Sequence, residues 1–334
     1  MTEKKCMIIA EAGVNHNGSV DIAKELCLAA KKAGADVVKF QTWITEKIIT
    51  RDVRQAAYQV ENTGSNQSQY DMLKALELNF NQFREIKSYC DDIGIQFAST
   101  ADETVSLDFL VELGIPFIKL GSGDLNNIPF LRYCGTKNLP IIISTGMGTL
   151  GDVESAVRAL REGGAQDITL LHCTTSYPCL MDKVNLKAMQ TLGVAFDLPV
   201  GYSDHTEGIE VSIAAVALGA KVIEKHFTLD KNMKGPDHIA STEPDEFKSM
   251  VDSIRNVEKA MGTSIKMPTN SEIEISQVVL KRIVAQRHIP VGKIIEENDI
   301  CVKRSSVGLP ANAWDIIMGT KAKKEFNIDE GIII

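Results

Sequence analysis

The sequence lacks any apolar run near the roughly 20 residues needed to cross a bilayer, which excludes a helical membrane span. It has no Cys-x-x-Cys pair, and its seven cysteines are odd in number and scattered. That argues against a disulfide framework and against a zinc finger, and fits buried thiols in a reducing cytoplasm. It has no excess of basic charge: the formal net charge is −8. Non-specific binding to nucleic acid needs the opposite sign. No Gly-x-Gly-x-x-Gly follows the first strand-like stretch, and Gly121-Ser-Gly123 lacks a third glycine, so a dinucleotide fingerprint is weak there. The N-terminus is a short apolar run broken by Glu11 and Asn15, which reads as a first strand rather than a signal peptide.

What is present is ordinary globular composition, 44% hydrophobic and 24% charged over 334 residues, enough for one large domain and a small one. Apolar runs alternate with helical periodicity over the first two-thirds. Eight strands are predicted: Met7–Val14, Asp36–Thr42, Ile95–Thr100, Phe117–Gly121, Ile141–Thr145, Ile168–His172, Leu198–Tyr202 and Val222–Phe227. Helices are predicted at Ile22–Ala33, Asn81–Ile93, Thr104–Leu113, Asp152–Glu162, Ile209–Leu218 and Glu243–Met261, each followed by a glycine suited to a C-terminal cap. Eight β-then-α units over about 260 residues match a TIM (β/α)8 barrel; an open doubly wound sheet is the runner-up. Residues 43–70 form a long polar interval after the second strand, readable as a lid or substrate wall, or as a surface insertion. The barrel is expected over 1–264, a linker over 265–280, and a small unit of short strands over 281–334, drawn from Leu280–Ala285, Gly292-Lys293, Asp299–Lys303 and Ile332–Ile334. So small a unit buries little core alone, so it is expected to dock on its own barrel or on a second subunit.

In such a barrel the working residues lie at strand C-termini. Lys39 and Lys119 stand in otherwise apolar strands, where a charge is costly without a partner. With Ser122, Ser144, Ser203 and glycine amides they make an oxyanion site for phosphate or carboxylate; the competing reading for each lysine is an ion pair with a neighbouring acid. His205 and His226 end adjacent strands beside Asp204 and Glu224. Two imidazoles suit an open octahedral site completed by water and substrate oxygens, as for Mn²⁺ or Mg²⁺, better than a closed zinc site. His16, His172 and His238 are weaker candidates, and Cys179 has no assignable base. Glu11 is placed to act as a general base or to bind a hydroxyl, with Tyr177 and Asp237 orienting a polyol.

Eight ordered motifs then carry a resemblance over essentially the whole chain: Ile8-Ile-Ala-Glu-Ala-Gly-Val-Asn-His-Asn-Gly18, Val38-Lys-Phe-Gln41, Lys119-Leu-Gly-Ser-Gly123, Ile143-Ser-Thr-Gly-Met147, Leu171-His-Cys-Thr-Thr-Ser-Tyr-Pro178, Ser203-Asp-His205, Glu224-Lys-His-Phe-Thr228 and Gly235-Pro-Asp237. Together they resemble the N-acetylneuraminate (sialic acid) synthase family, which includes legionaminic and pseudaminic acid synthases. The tail around Val302-Lys-Arg304 and Pro310 resembles that family's C-terminal β-clip, the antifreeze-like (SAF) domain. The resemblance implies condensation of phosphoenolpyruvate with an N-acylated mannosamine-type aldehyde, giving a nine-carbon 2-keto acid and phosphate, with N-acetylneuraminate as the expected product and legionaminic acid as the alternative. It implies that His205 and His226 hold the divalent ion and act with Glu11 and Glu224 in catalysis. Lys39, Lys119, Ser122, Ser144, Thr175 and Ser203 would bind phosphoenolpyruvate, Glu11, Tyr177 and Asp237 the sugar, and Gln41 would lie near the metal. It implies a cytoplasmic homodimer in which Arg304 of the SAF domain reaches the sugar in the partner's barrel, with no nucleic-acid or membrane partner. Two departures bear on the acceptor: Thr175 stands where Asn is frequent, and Ser-Ser-Val-Gly-Leu-Pro follows Arg304 where Pro-Gly-x-Gly is common. A pyruvate aldolase and a non-catalytic sugar or anion binder are the competing classes.

Overall fold

The computed structural model describes residues 5–56, 59–60, 62 and 67–333. The chain divides into two compact units, Met1–Gly262 and Thr263–Ile334.

The first unit is an α/β closed barrel of eight parallel strands in sequence order: β1 Met7–Gly13, β2 Val37–Thr42, β3 Gln96–Ala101, β4 Ile118–Leu120, β5 Ile141–Ser144, β6 Ile168–Cys173, β7 Val200–Asp204 and β8 Val222–His226. Each is short, and most are rich in apolar and β-branched residues, as strands buried on both faces require. Helices α1 Val20–Ala33, α2 Thr45–Ile48, α3 Gln69–Leu76, α4 Phe80–Ile93, α5 Thr104–Leu113, α6 Ile128–Gly135, α7 Leu150–Gly163, α8 Lys187–Phe196, α9 Glu210–Ala217 and α10 Pro244–Met261 complete it. In α1 the apolar positions Ala23, Leu26, Cys27, Ala30 and Ala33 recur at helical spacing and are buried; the Ser19 hydroxyl accepts from Ile22 N at its start, and Gly34 closes it at φ 87°. Side chains alternate along each strand. One set fills the barrel interior with Ile9, Val37, Ala98, Phe117, Ile142, Leu171 and Val222. The other set packs outward under the helices, with Ile8, Val38, Phe97, Ile118, Ile143, Leu170 and Ile223.

The eight predicted barrel strands are all found, whereas the strands expected at Gly292-Lys293 and Ile332–Ile334 of the small unit are not found among the described residues. One boundary shift matters: the seventh strand runs to Asp204 rather than ending at Tyr202. Alternation then sends Asp204 outward, away from the histidines beside which the sequence reading set it. There it meets Lys225, its register partner on β8, at 2.9 Å, and accepts from Thr206 and from Ser212 of α9. The ion pair is fully buried and ties β7, β8 and α9 together.

Helices α6 and α8 fall between strands where no helix was predicted. The 43–70 interval is partly structured: α2 lies inside it and α3 begins at its end. Its residues 57–58, 61 and 63–66 lie outside the described set, as does Ile334 of the last predicted strand. Short helices are held by tertiary packing rather than by propensity, which is why α2 and α3 leave little periodicity.

In the second unit, β9 Lys281–Ala285 and β10 Ile300–Arg304 pair antiparallel over a core that includes Ile283, Ile289, Ile295, Ile300, Phe326 and Ile332. Buried Asp299 is held by Arg287 at 2.6 Å and by Lys293. A helix, α11 Asn270–Val279, with a Thr269–Glu272 capping box, occupies most of the stretch read as a linker. A single-turn helix, α12 Trp314–Ile317, precedes the final turns.

Removing one partner of a fully buried pair leaves a bare charge and costs about 3–5 kcal/mol. Lys225→Met is therefore expected to lower the barrel's unfolding free energy, measured by urea denaturation, by that amount, and Lys225→Met with Asp204→Leu to recover most of it. A single variant as stable as wild type would show that the pair does not tie these elements.

Candidate active site

The site follows from the same alternation. Two residues beyond each interior apolar side chain, at the C-terminal end of the barrel, comes an inward polar one. Glu11 follows Ile9, Lys39 follows Val37, Thr100 follows Ala98, Lys119 follows Phe117, Ser144 follows Ile142, Cys173 follows Leu171, Ser203 follows Gly201 and Glu224 follows Val222. The barrel's stagger sets them in steps: Glu11 is opposite Lys39, Thr100 opposite Lys119, and Cys173, Ser203 and Glu224 opposite one another, while across the seam Glu11 pairs with His226.

Lys39 lies 2.6 Å from Glu11 and 3.7 Å from Glu224, and donates to Thr100 Oγ1 at 2.8 Å. Lys119 lies 3.4 Å from Glu224 and donates to Ser144 Oγ at 2.9 Å. Ser203 donates to Glu224 at 3.0 Å. Lys39, Lys119 and Glu11 are each only 2% exposed. The two lysines thus do not stand bare: each is paired with a neighbouring acid, as the competing reading had it, and each donates to a hydroxyl. Burial lifts Glu11 to about 7, against the pull of Lys39 and with the push of Glu224. Burial also opposes ionisation of Glu224, but Lys119 and Lys39 hold it at about 2.

Beside this quartet, Ser122 Oγ accepts from Gly146 N at 3.0 Å and lies 3.1 Å from Cys173 Sγ. A Cβ on Gly146 would fall 2.3 Å from Thr175 Oγ1 and 2.7 Å from Ser122 Oγ. Gly146 is therefore what lets those two hydroxyls converge. It also opens the spacing Gly146-Met-Gly148-Thr-Leu-Gly151, which the sequence reading passed over. The spacing has packing causes: a Cβ on Gly148 would strike Leu125, and the start of α7 is closed by a Thr149–Asp152 capping box.

His205 and His226 converge, their ring centroids 5.5 Å apart, with the Tyr177 ring 4.2 Å from His205 and 5.6 Å from His226. His205 Nδ1 lies 2.7 Å from the Thr174 carbonyl, so it carries the proton and leaves Nε2 a lone pair. Burial lowers both imidazoles, His226 to about 3 with a further push from His205. Both are neutral near pH 7, and His226 Nδ1 is buried without a hydrogen-bond partner. Two neutral nitrogens and an orphaned ring atom fit a divalent ion. Among the described residues, no cluster of three or more His, Cys, Asp or Glu groups is arranged to hold one; a metal here would draw only two ligands from the chain.

Gln41 donates to Glu11 Oε1 at 3.0 Å. With Tyr177, His226, Asp237, Gln59 and Pro236, and with the apolar Val14, Met72, Leu73 and Leu76, it lines a cavity of about 200 Å³. Burial raises Asp237 to about 6, and Asn15 supports its loop through Ser241, which donates to the Asp237 carbonyl at 2.6 Å. Of the residues predicted for the site, all but Arg304 belong to this end of the barrel; Arg304 belongs to the second unit, exposed at the end of β10. His16, His172 and His238 bond locally, to Gly18 N, to the Val184 carbonyl, and to Thr228 and Asn17. The sequence reading missed Thr100, which one more step of period two from Ala98 would have found, and the α3 side chains, which carry no polar signal.

A closed β/α barrel with buried lysines, carboxylates and paired imidazoles at its C-terminal mouth defines a barrel enzyme handling an anionic substrate. The NeuB family model matches residues 26–266 and the SAF domain model residues 282–332. The chain is 47% identical to N,N'-diacetyllegionaminic acid synthase of Campylobacter jejuni over 98% of each chain. It is 38% identical to human N-acetylneuraminate-9-phosphate synthase, over 89% of this chain and 83% of the other. The crystal structure of N-acetylneuraminic acid synthetase from Leptospira borgpetersenii superposes with a TM-score of 0.71 at 32% identity, covering 82% of this chain and 92% of that one. The chain belongs to the NeuB family, carries a SAF domain, and is an enzyme of the sialic-type acid synthase class.

Glu224 balances two lysines. Glu224→Gln leaves Lys119 without a counter-charge and is expected to cost about 3–5 kcal/mol of unfolding free energy, part of it restored by millimolar inorganic phosphate. An unchanged urea midpoint would show that Glu224 is not the balancing charge.

Proposed function

We propose that the protein condenses phosphoenolpyruvate with 2,4-diacetamido-2,4,6-trideoxymannose, giving N,N'-diacetyllegionaminic acid and phosphate. This reverses the order of the two acceptors expected from the sequence. The observation that carries the chemistry is the buried ion-paired cluster of Lys39, Lys119, Glu11 and Glu224 beside two neutral imidazoles. The identity to the Campylobacter synthase supports the acceptor.

In this reading Lys39, Lys119, Ser122, Ser144, Thr175 and Ser203 hold the phosphate and carboxylate of phosphoenolpyruvate by charge-assisted hydrogen bonds. Gln41, Tyr177 and Asp237 hold the open-chain sugar so that its aldehyde carbon faces the enol methylene carbon. The enol π pair forms the new carbon–carbon bond, and the aldehyde oxygen takes up a proton. Water adds to the former enol carbon and loses one proton; the tetrahedral centre then breaks its carbon–oxygen bond to phosphate as its hydroxyl becomes the 2-keto carbonyl and passes its proton to the departing phosphate. Glu11, with a pKa near neutrality and a position between Lys39 and Gln41, is the group suited to carry a proton across these steps. Glu224, held ionised, keeps the lysines oriented. His205 and His226 would hold Mn²⁺ or Mg²⁺, which as a Lewis acid polarises a carbonyl oxygen. The working unit is a homodimer in which Arg304 of one SAF domain reaches the acceptor in the partner's barrel, and the enzyme acts in the cytoplasm.

The test is phosphate release from phosphoenolpyruvate with Mn²⁺ or Mg²⁺ across N-acetylmannosamine and the diacetamido sugar, with mass spectrometry of the product. The diacetamido sugar is expected to give the higher kcat/KM and a nine-carbon acid. His205→Ala and His226→Ala are expected to lose turnover and divalent-ion binding together. Consumption of pyruvate, or sugar binding with no phosphate from any acceptor, would overturn the reading; a variant that keeps full activity would overturn the metal assignment.

A further inference from the structure

We propose that Cys173 is a positioning residue: its thiol donates to Ser122 Oγ and so turns the Ser122 hydroxyl hydrogen toward the bound anion. This rests on the synthase reading above, in which Ser122 holds phosphoenolpyruvate, and names a second residue on which that contact depends.

Cys173 ends β6 and takes an inward place beside Ser203, its register partner on β7. A buried thiol is often only a small apolar filler. Here its surroundings are polar. The sulfur lies 3.1 Å from Ser122 Oγ, with the Gly146 N–H and the Lys119 ammonium close by. The Gly146 N–H itself donates to Ser122 Oγ at 3.0 Å. The cradle is tight: a Cβ on Gly146 would fall 2.7 Å from Ser122 Oγ and 2.9 Å from Cys173 Sγ.

A serine hydroxyl has two lone pairs and one hydrogen. The Gly146 N–H fills one lone pair of Ser122. Two arrangements remain for the sulfur. If Ser122 donates to it, the hydroxyl hydrogen is used inside the protein and a lone pair is left to face the anion. If the thiol donates, both lone pairs are filled and the hydrogen is left for the anion. Phosphate and carboxylate oxygens are acceptors, so a bound anion selects the second arrangement. The thiol is fit to donate, because burial raises its pKa and keeps the proton on sulfur. A thiolate there would add negative charge beside the anion. Without the thiol, the Ser122 hydroxyl is free to rotate away.

The test is a double-mutant cycle on phosphoenolpyruvate binding, followed by calorimetry with Mn²⁺ and no sugar present. Cys173→Ala is expected to raise the Kd by about 3- to 10-fold, the loss of one hydrogen bond. Cys173→Val, which fills the space without donating, is expected to do the same. Cys173→Ser keeps a donor and is expected to stay within about twofold of wild type. In a Ser122→Ala protein, Cys173→Ala is expected to add less than about twofold, since the group it positions is gone. Three results would each overturn the positioning role: the same loss in both backgrounds, Cys173→Ser as weak as Cys173→Ala, or Cys173→Ala binding as wild type does. Each leaves the synthase reading standing, because wild type still binds phosphoenolpyruvate and releases phosphate from it when sugar is added. A wild-type protein that does not bind phosphoenolpyruvate would overturn both.

Discussion

The barrel depends on charge balance at its mouth. Two lysines and two glutamates lie inside a closed sheet with almost no solvent. Any one of them alone would be too costly to bury, since an ion taken from water without a partner costs several kcal/mol. Together they form a neutral set: Glu11 on β1 and Glu224 on β8 are neighbours across the barrel seam, and Lys39 on β2 and Lys119 on β4 face them. The hydroxyls of Thr100, Ser144 and Ser203 take up remaining bonds. Folding the barrel therefore assembles the site, because no member is tolerable until the strands that bring the others have closed.

Much of this was legible in the sequence because a parallel barrel is governed by simple periods. Eight apolar runs predicted eight strands, and polar residues at their ends predicted the mouth. What was misread came from where one strand ends. Ending the seventh strand at Tyr202 put Asp204 in a loop beside His205. Extending it by two residues to Asp204 turns that side chain outward, onto Lys225. A residue beyond a strand's end has no fixed face, whereas one inside the strand is assigned its face by alternation. Nothing local in Ser203-Asp-His205 tells which of three adjacent polar residues points in.

Helices α2 and α3 were illegible for a different reason. They are short, and their order comes from contacts far away in sequence: Met72 and Leu76 pack on Val14 and Trp43. A run of four or eight residues carries too few turns to show an apolar stripe against noise. Helix α11 escaped in a similar way, since none of its side chains is buried within its unit. The glycines at 146 and 148 show the converse case. Their spacing imitates a phosphate-binding turn, yet each is small because a neighbour occupies the space: Thr175 and Ser122 for one, Leu125 for the other.

The two glutamates show how one residue type takes two roles within one ring. Both are fully enclosed, and burial pushes both toward the neutral acid. Glu224 lies within reach of two ammonium groups and accepts from Ser203, so its charge is locked. Glu11 has one ammonium and one amide donor, and it feels the fixed negative charge of Glu224. The difference of one lysine separates a carboxylate that remains ionised from one poised near neutrality. Such a split between neighbouring carboxyls lets one residue type hold a fixed charge at one place and stay close to neutral at another. Here it sets Glu11, which also accepts from Gln41, apart from Glu224. The locked glutamate sits between the lysines and Ser203. Position among the charges, rather than side-chain chemistry, makes the two acids differ.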